Sequence, residues 1–430
     1  VTIDPELIPK ISIYDGEMVV LAVSPSGLVE LHKDSPEWQR RFAREKNGSN
    51  VTIRPDLEKL DLSVRRFINL EELVASDSGR IVGPKAAKLG ELHHHYPDKV
   101  TEGVAIPFGL FRETVLDKPY KDSGRTVFEW METQYANIHA QPKNSDRRAQ
   151  TTENFRAELY NIIMQAKLSD QFKRDLKKAM IDTFGSSDTG VFVRSDTNVE
   201  DLPGFTGAGL NLTLPNVIGI DGVLKAINKV WASPFTARAF AWRQSHMDKP
   251  QHVYPAILLL QSVANEKSGV MVTQNIDSGD MNTLSIAVNE GVGGAVDGQS
   301  AESLRINIRN GEVKVLATAT APWQRQPSAN GGVTKLASSG TNTVLQPKEI
   351  EQLIRFAKDL PTSFPPIIDD KGNRAAADIE FGFINGNLQL FQLRPFLQSE
   401  QAQRNKYLKT MDQSLIGHLA RTVNMNKEVQ

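Results

Sequence analysis

The chain has 430 residues, 40% hydrophobic and 23% charged, an ordinary globular composition long enough for two or three domains. A formal net charge of -1 argues against a nucleic-acid or polyanion surface; zero cysteines exclude disulfides, thiolate zinc sites and cysteine nucleophiles and fit a reducing, cytoplasmic compartment. No apolar run approaches the roughly 20 residues of a membrane span, so neither nucleic acid nor membrane is an expected partner.

Along the chain, Met18–Val23 and Leu28–Leu31 read as strands around the turn signal Ser24-Pro-Ser-Gly. Pro36–Lys46 reads as a helix whose Arg40, Arg41, Arg44 and Lys46 are interrupted by Phe42 and Glu45, a solvated face. Residues 47–55 form a polar linker that closes a first segment, 1–55. The opening strands look like the tail of a preceding domain, and the chain is expected to be a fragment of a longer protein. Gly83-Pro84 marks a helix start with proline at the first helical position. Lys85 then lies in the first turn, where backbone donors and the dipole favour an anion. His93, His94 and His95 point to different faces of that helix, which suits a polar helix end better than a metal site. Phe128–His139 and Thr152–Phe184 read as amphipathic helices, with Phe155, Leu159, Ile162 and Ala166 on one face. Asp221–His246 is a further helical stretch that buries Leu224, Ile227, Val230 and Trp231.

Val191–Val193 is a buried strand that runs into Arg194, an acidic turn and a glycine-rich segment from Gly204 to Gly209. An arginine emerging from a strand end presents a planar fork to phosphate oxygens, and downstream glycines let backbone N–H groups approach an anion. From Tyr254 the pattern is strand-like: Ala256–Val263, Gly269–Thr273 and Leu284–Val288. Pro347–Leu360 is a helix. Asn385-Gly386 joins two alternating runs, a strong hairpin signal. Alternation sets Asp378 and Glu380 on one face of its first strand and Gln392 and Arg394 on one face of the second. Acidic side chains there suit magnesium bridging to phosphates. No P-loop and no protein-kinase motif set is present.

Four motifs in order between Phe67 and Pro395 resemble the nucleotide-binding domain of the dikinase family, which includes phosphoenolpyruvate synthase, pyruvate phosphate dikinase, rifampicin phosphotransferase and glucan water dikinases. They are Gly83-Pro-Lys-Ala-Ala-Lys-Leu-Gly-Glu, Val193-Arg-Ser with Glu200-Asp-Leu-Pro, the Gln261-Ser-Val hinge, and Asp378-Ile-Glu with Gln392-Leu-Arg-Pro. The resemblance implies an α+β fold of the ATP-grasp type, two subdomains (56–250 and 251–398) enclosing ATP, followed by a helical tail, 399–430. It implies that Lys85 and Arg194 hold ATP phosphates, that the loop carrying Gly204, Thr206 and Gly207 covers them, and that Gln261, Ser262 and Val263 line the adenine pocket. It assigns Glu380 to Mg2+, with Asp378 beside it, and puts Gln392 and Arg394 at the metal-phosphate end. The chain departs from the family at Gly294, where a glutamate is usual, and Glu290 is the acid expected to reach the metal instead. The implied activity is ATP-dependent phosphorylation of a histidine on a swivelling carrier domain. The strands before residue 31 resemble the end of such a domain, but the eight histidines lack its motif. The alternative is a catalytically weakened, regulatory nucleotide-binding module.

Overall fold

The computed structural model describes residues 12–24, 28–41, 52–142, 144–202, 212–293, 300–341, 343–369, 372–397 and 405–413. Two compact units emerge: one from 1–50, 276–278 and 397–430, the other from 51–275 and 279–396.

In the smaller unit, β1 (Val19–Val23) and β2 (Val29–Lys33) pair as the expected antiparallel hairpin. One face packs through Ala22 on Leu408 and Met411 of a short helix, Lys406–Gln413. The helix expected over 36–46 is described over Pro36–Arg41. There Arg41 lies over the rings of Trp38 and Tyr407, which stack edge to face.

The larger unit holds two antiparallel sheets. The first has five strands: β3 (Ile68–Asn69), β4 (Gly103–Ile106), β5 (Val191–Thr197), β6 (Thr213–Val217) and β7 (Pro255–Gln261). Their order is β3-β4-β7-β5-β6. Central β7 reads Pro-Ala-Ile-Leu-Leu-Leu before Gln261 because both its faces are covered, and only Gln261 at its end is partly exposed. The second sheet has six: β8 (Lys267–Val272), β9 (Thr283–Glu290), β10 (Glu302–Asn307), β11 (Val313–Ala317), β14 (Ala377–Ile384) and β15 (Asn387–Pro395), ordered β11-β10-β9-β8-β14-β15. The sheets change between Gln261 and Lys267, later than the division at 250/251 read from sequence, because β7 pairs with β4 and β5. Residues 52–55 are likewise more than a linker: Ile53 is buried against Val199, Met247 and Val253.

The helical stretches are interrupted where the sequence supplies caps and prolines. Instead of one helix over 152–184 there are two, Asp146–Met164 and Asp170–Phe184, the second capped by Ser169 accepting from the Phe172 N–H. Pro234 similarly divides Ile220–Ala232 from Ala237–His246. On the first of these helices Phe155, Leu159 and Ile163 are buried, so the core stripe passes through Ile163 and leaves Ile162 partly exposed. The sequence reading passed over a further feature, the hairpin β12 (Trp323–Pro327) and β13 (Val333–Ala337). Asn216 on β6 holds its tip, donating to the Ser328 and Gly332 carbonyls and accepting from the Gly332 N–H. The other end bridges to Gly291 after β9, and Gln326 donates to the Asn265 carbonyl.

Leu258 on β7 is fully buried in the main core. Leu258→Ala is expected to cost about 2–5 kcal/mol, the range for a buried leucine cut back to a methyl group. Equilibrium unfolding in urea measures it, and an unchanged midpoint contradicts the buried position of β7.

Candidate functional site: a charged cleft between two sheets

The site begins on β5. The strand runs on to Thr197, so Arg194 lies inside it, paired with Leu258, and not at its end. Alternation directs Arg194 and Asp196 to one face. The Arg194 guanidinium crosses to the second sheet: Nη1 donates to the Phe391 carbonyl at 2.8 Å, and Nη2 donates to Glu380 Oε2 at 3.0 Å and Gln392 Oε1 at 2.8 Å. Glu380 and Gln392 are register partners on β14 and β15. Phe391 sits at a bulge, which lets Gln392 join the cleft face while Leu390 and Leu393 remain in the core.

Helix Pro84–His95 starts directly over β5. The anion at its N-terminus is a side chain: Asp196 accepts from the Lys85 N–H at 2.8 Å and the Ala86 N–H at 3.0 Å. Gly83 makes this approach possible, since a Cβ there would lie 2.3 Å from Asp196 Oδ1. Full burial pushes the Asp196 carboxyl above the ordinary aspartate range, against the pull of the Lys85 ammonium. Lys85 Nζ donates to the Ser195 carbonyl at 2.9 Å and pairs with the Glu200 carboxylate, both partners being buried. Glu200 also accepts from the Thr197 N–H. Lys85 and Glu380 therefore meet adjacent residues of β5, Lys85 at the Ser195 carbonyl and Glu380 at the Arg194 guanidinium.

On the second sheet, the pairs Asp378–Val272, Glu380–Val270 and Gly382–Ser268 define the cleft face, while Ile379, Phe381 and Phe383 point into the core. Asp378 pairs with Arg394 at 2.8 Å, as alternation implied, and burial raises its carboxyl above the usual range despite that arginine. Glu290 does not join them. It pairs with Lys267, an odd number of residues from Val270, so its side chain takes the opposite face; there it accepts from the Ser339 N–H and hydroxyl. Gly204, Thr206, Gly207 and Gly294 lie outside the described residues. At the hinge, Gln261 and Ser262 spend their N–H groups on the Glu102 and Gly190 carbonyls, and the Val263 N–H has no partner among the described residues.

Asp196 and Glu200 escaped the sequence reading. Their signal was available: two acids follow the strand arginine within six residues, and burying that strand end obliges them to find donors. Phe391 contributes a backbone carbonyl, which no side-chain pattern could reveal. Among the described residues no three histidine or carboxylate groups gather to hold a metal by themselves. Glu380 and neighbouring Asp378 do fit magnesium, which takes one or two carboxylates and completes its octahedron with waters and phosphate oxygens.

Two antiparallel sheets joined by a hinge, with basic groups from one facing acids from the other, define an ATP-grasp nucleotide-binding module. The chain belongs to the family described as the AMP/ATP-binding domain of pyruvate phosphate dikinase, which residues 79–415 match. It is 26% identical to phosphoenolpyruvate synthase of Pyrococcus furiosus over 257 residues, 54% of this chain and 31% of that protein. It is 26% identical over 364 residues to a Methanothermobacter thermautotrophicus protein named "Probable phosphoenolpyruvate synthase", covering 82% of this chain and 49% of the relative. Rifampicin phosphotransferase of Streptomyces sviceus is 23% identical over 339 residues, 78% of this chain and 36% of that protein. The chain thus spans less than half the length of these curated relatives. No helix among the described residues is long and apolar enough to cross a membrane.

Asp196→Ala removes the acceptor of two buried N–H groups at once and is expected to cost about 1–3 kcal/mol. Thermal unfolding measures this, and a variant as stable as the parent would mean that the helix start does not depend on Asp196.

Proposed function

We propose that this chain is the ATP-binding part of a dikinase-type phosphotransferase, which binds magnesium-bound ATP in the cleft and passes phosphate to a histidine on a separate carrier domain. The reading rests above all on the meeting of Lys85, Arg194, Glu380 and Gln392 around one strand of the first sheet. Phosphoryl transfer asks for positioning and charge neutralisation more than for covalent chemistry, and these side chains are of the types that supply both. Lys85 and Arg194 take the phosphates, under the loop bearing Gly204, Thr206 and Gly207. Glu380, with Asp378, holds magnesium, and Gln392 and Arg394 complete the charged cage. Gln261, Ser262 and Val263 border the base, the Val263 N–H serving as the backbone donor. The bound metal would bridge and neutralise phosphate oxygens. A phosphoenolpyruvate synthase and a rifampicin phosphotransferase among the relatives favour a small-molecule final acceptor, pyruvate or similar.

A second reading, a nucleotide-binding module of weakened catalysis, is favoured by Glu290 facing away from Glu380 and by Gly294 in place of the family glutamate. Titration calorimetry with ATP and magnesium, beside a turnover assay with a histidine carrier domain, separates the two. Binding with phosphotransfer supports the first, and binding without transfer supports the second. Arg194→Met removes charged hydrogen bonds worth about 1.5–3 kcal/mol each and should weaken ATP binding about 10–100-fold. A variant that folds and binds ATP like the parent overturns the phosphate role of Arg194, and a parent that binds no ATP overturns both readings.

A further inference from the structure

One row of positions across the second sheet lies between two buried asparagines, each with a side-chain atom that has no partner among the described residues. Gly382, Ser268 and Asn289 stand opposite one another on β14, β8 and β9. Gly382 is two residues beyond Glu380, so the row faces the same cleft, about 7 Å farther along the strand toward the hinge. Asn289 is 1% exposed, and its Nδ2 has no hydrogen-bond partner among the described residues. Asn265, at the hinge, is 4% exposed, and its Oδ1 is equally alone. The Asn265 amide reaches over Gly382: a Cβ there would lie 3.0 Å from Asn265 Nδ2 and 2.9 Å from the Phe391 ring. Ser268, between the two, is already spent, donating to the Gly291 carbonyl and accepting from the Gly293 N–H.

A buried amide atom without a partner is costly, and natural folds rarely leave one. Nδ2 of Asn289 needs an acceptor and Oδ1 of Asn265 needs a donor. A hydroxyl is both at once, and a vicinal diol is so twice over. Position selects among the parts of a nucleotide. The phosphate-binding residues stand one row away on one side and the hinge, which borders the base, stands on the other, which leaves the sugar between them. We propose that Asn289 and Asn265 read the ribose of the bound nucleotide, Asn289 donating to a ribose hydroxyl and Asn265 accepting from one, so that the site selects ribonucleotides over deoxynucleotides. This rests on the nucleotide reading above and deepens it.

Titration calorimetry on the whole 430-residue chain with magnesium and ATP, 2′-deoxyATP or 3′-deoxyATP tests it. At least one deoxy analogue should bind about 10-fold or more weakly than ATP, because its missing hydroxyl leaves the buried amides unpaired. In Asn289→Ala and Asn265→Ala that preference should fall below about 3-fold, through weaker binding of ATP and little change for the deoxy analogue. ATP binding by the parent that is indifferent to both hydroxyls overturns the ribose assignment alone, and this arm needs no variant to fold. Variants that keep the parent's full preference overturn it too. Failure of the parent to bind ATP overturns the nucleotide reading, and the ribose assignment falls with it.

Discussion

The guanidinium of Arg194 is the joint on which the cleft depends. It leaves the middle of a strand in one sheet and spends its fork on three oxygens of the other: a backbone carbonyl, a carboxylate and an amide. Arginine suits this position because its planar fork aims several donors at once in fixed directions, whereas an ammonium would satisfy one or two and leave the rest buried without partners. The bulge at Phe391 serves the same joint, turning its carbonyl and the Gln392 amide toward the arginine within adjacent residues. Sheet separation, the position of Glu380 and the closeness of Lys85 all follow from where that fork ends.

Asp196 fixes the second coordinate. A helix N-terminus is a ready-made anion site, and proteins commonly offer it to a phosphate. Here the helix starting at Pro84 offers its first donors to a buried carboxylate of β5, which sets helix against sheet and orients Lys85 along the strand. The anion-binding capacity of that helix end is thus used for architecture. In the proposed function it is the lysine ammonium, and not the backbone donors beneath it, that this helix end offers a nucleotide.

How far the sequence could be read follows from this division of labour. Side-chain patterns survive in a sequence, so the hairpin through Asn385-Gly386, its cleft-facing acids and the wholly apolar β7 were all legible from alternation and turn chemistry. Long-range pairing is not local, so the placement of β7 in the first sheet was not legible: nothing in Pro-Ala-Ile-Leu-Leu-Leu-Gln states which strands flank it. The hairpin of β12 and β13 was missed because its strands are short, β13 exposed throughout and β12 only partly covered, and Lys335 and Arg325 interrupt the alternation a strand search depends on. Glu290 illustrates parity: counted in sequence it lies close to the glycine segment, yet one position along a strand decides which face a side chain takes. Asn265 and Asn289 could not be singled out at all, since an asparagine becomes informative only once its partners are known to be absent.

The charges of the cleft are balanced before any ligand enters. Lys85 is matched by Glu200, Arg194 by Glu380, Arg394 by Asp378, and Lys88 by Asp201. Bringing one unpaired charge into such a place costs several kcal/mol, and a bare triphosphate would leave the acids facing its own negative charge. In the proposed function, magnesium-bound ATP is the form that would respect the balance: Glu380 and Asp378 would turn to the metal as Arg194 and Arg394 turn to the phosphates, so both halves of those two ion pairs would find a new partner together. An exchange of this kind demands that lysine, arginines and acids already stand within reach of one another. The fork of Arg194 and the capped helix above β5 secure that proximity.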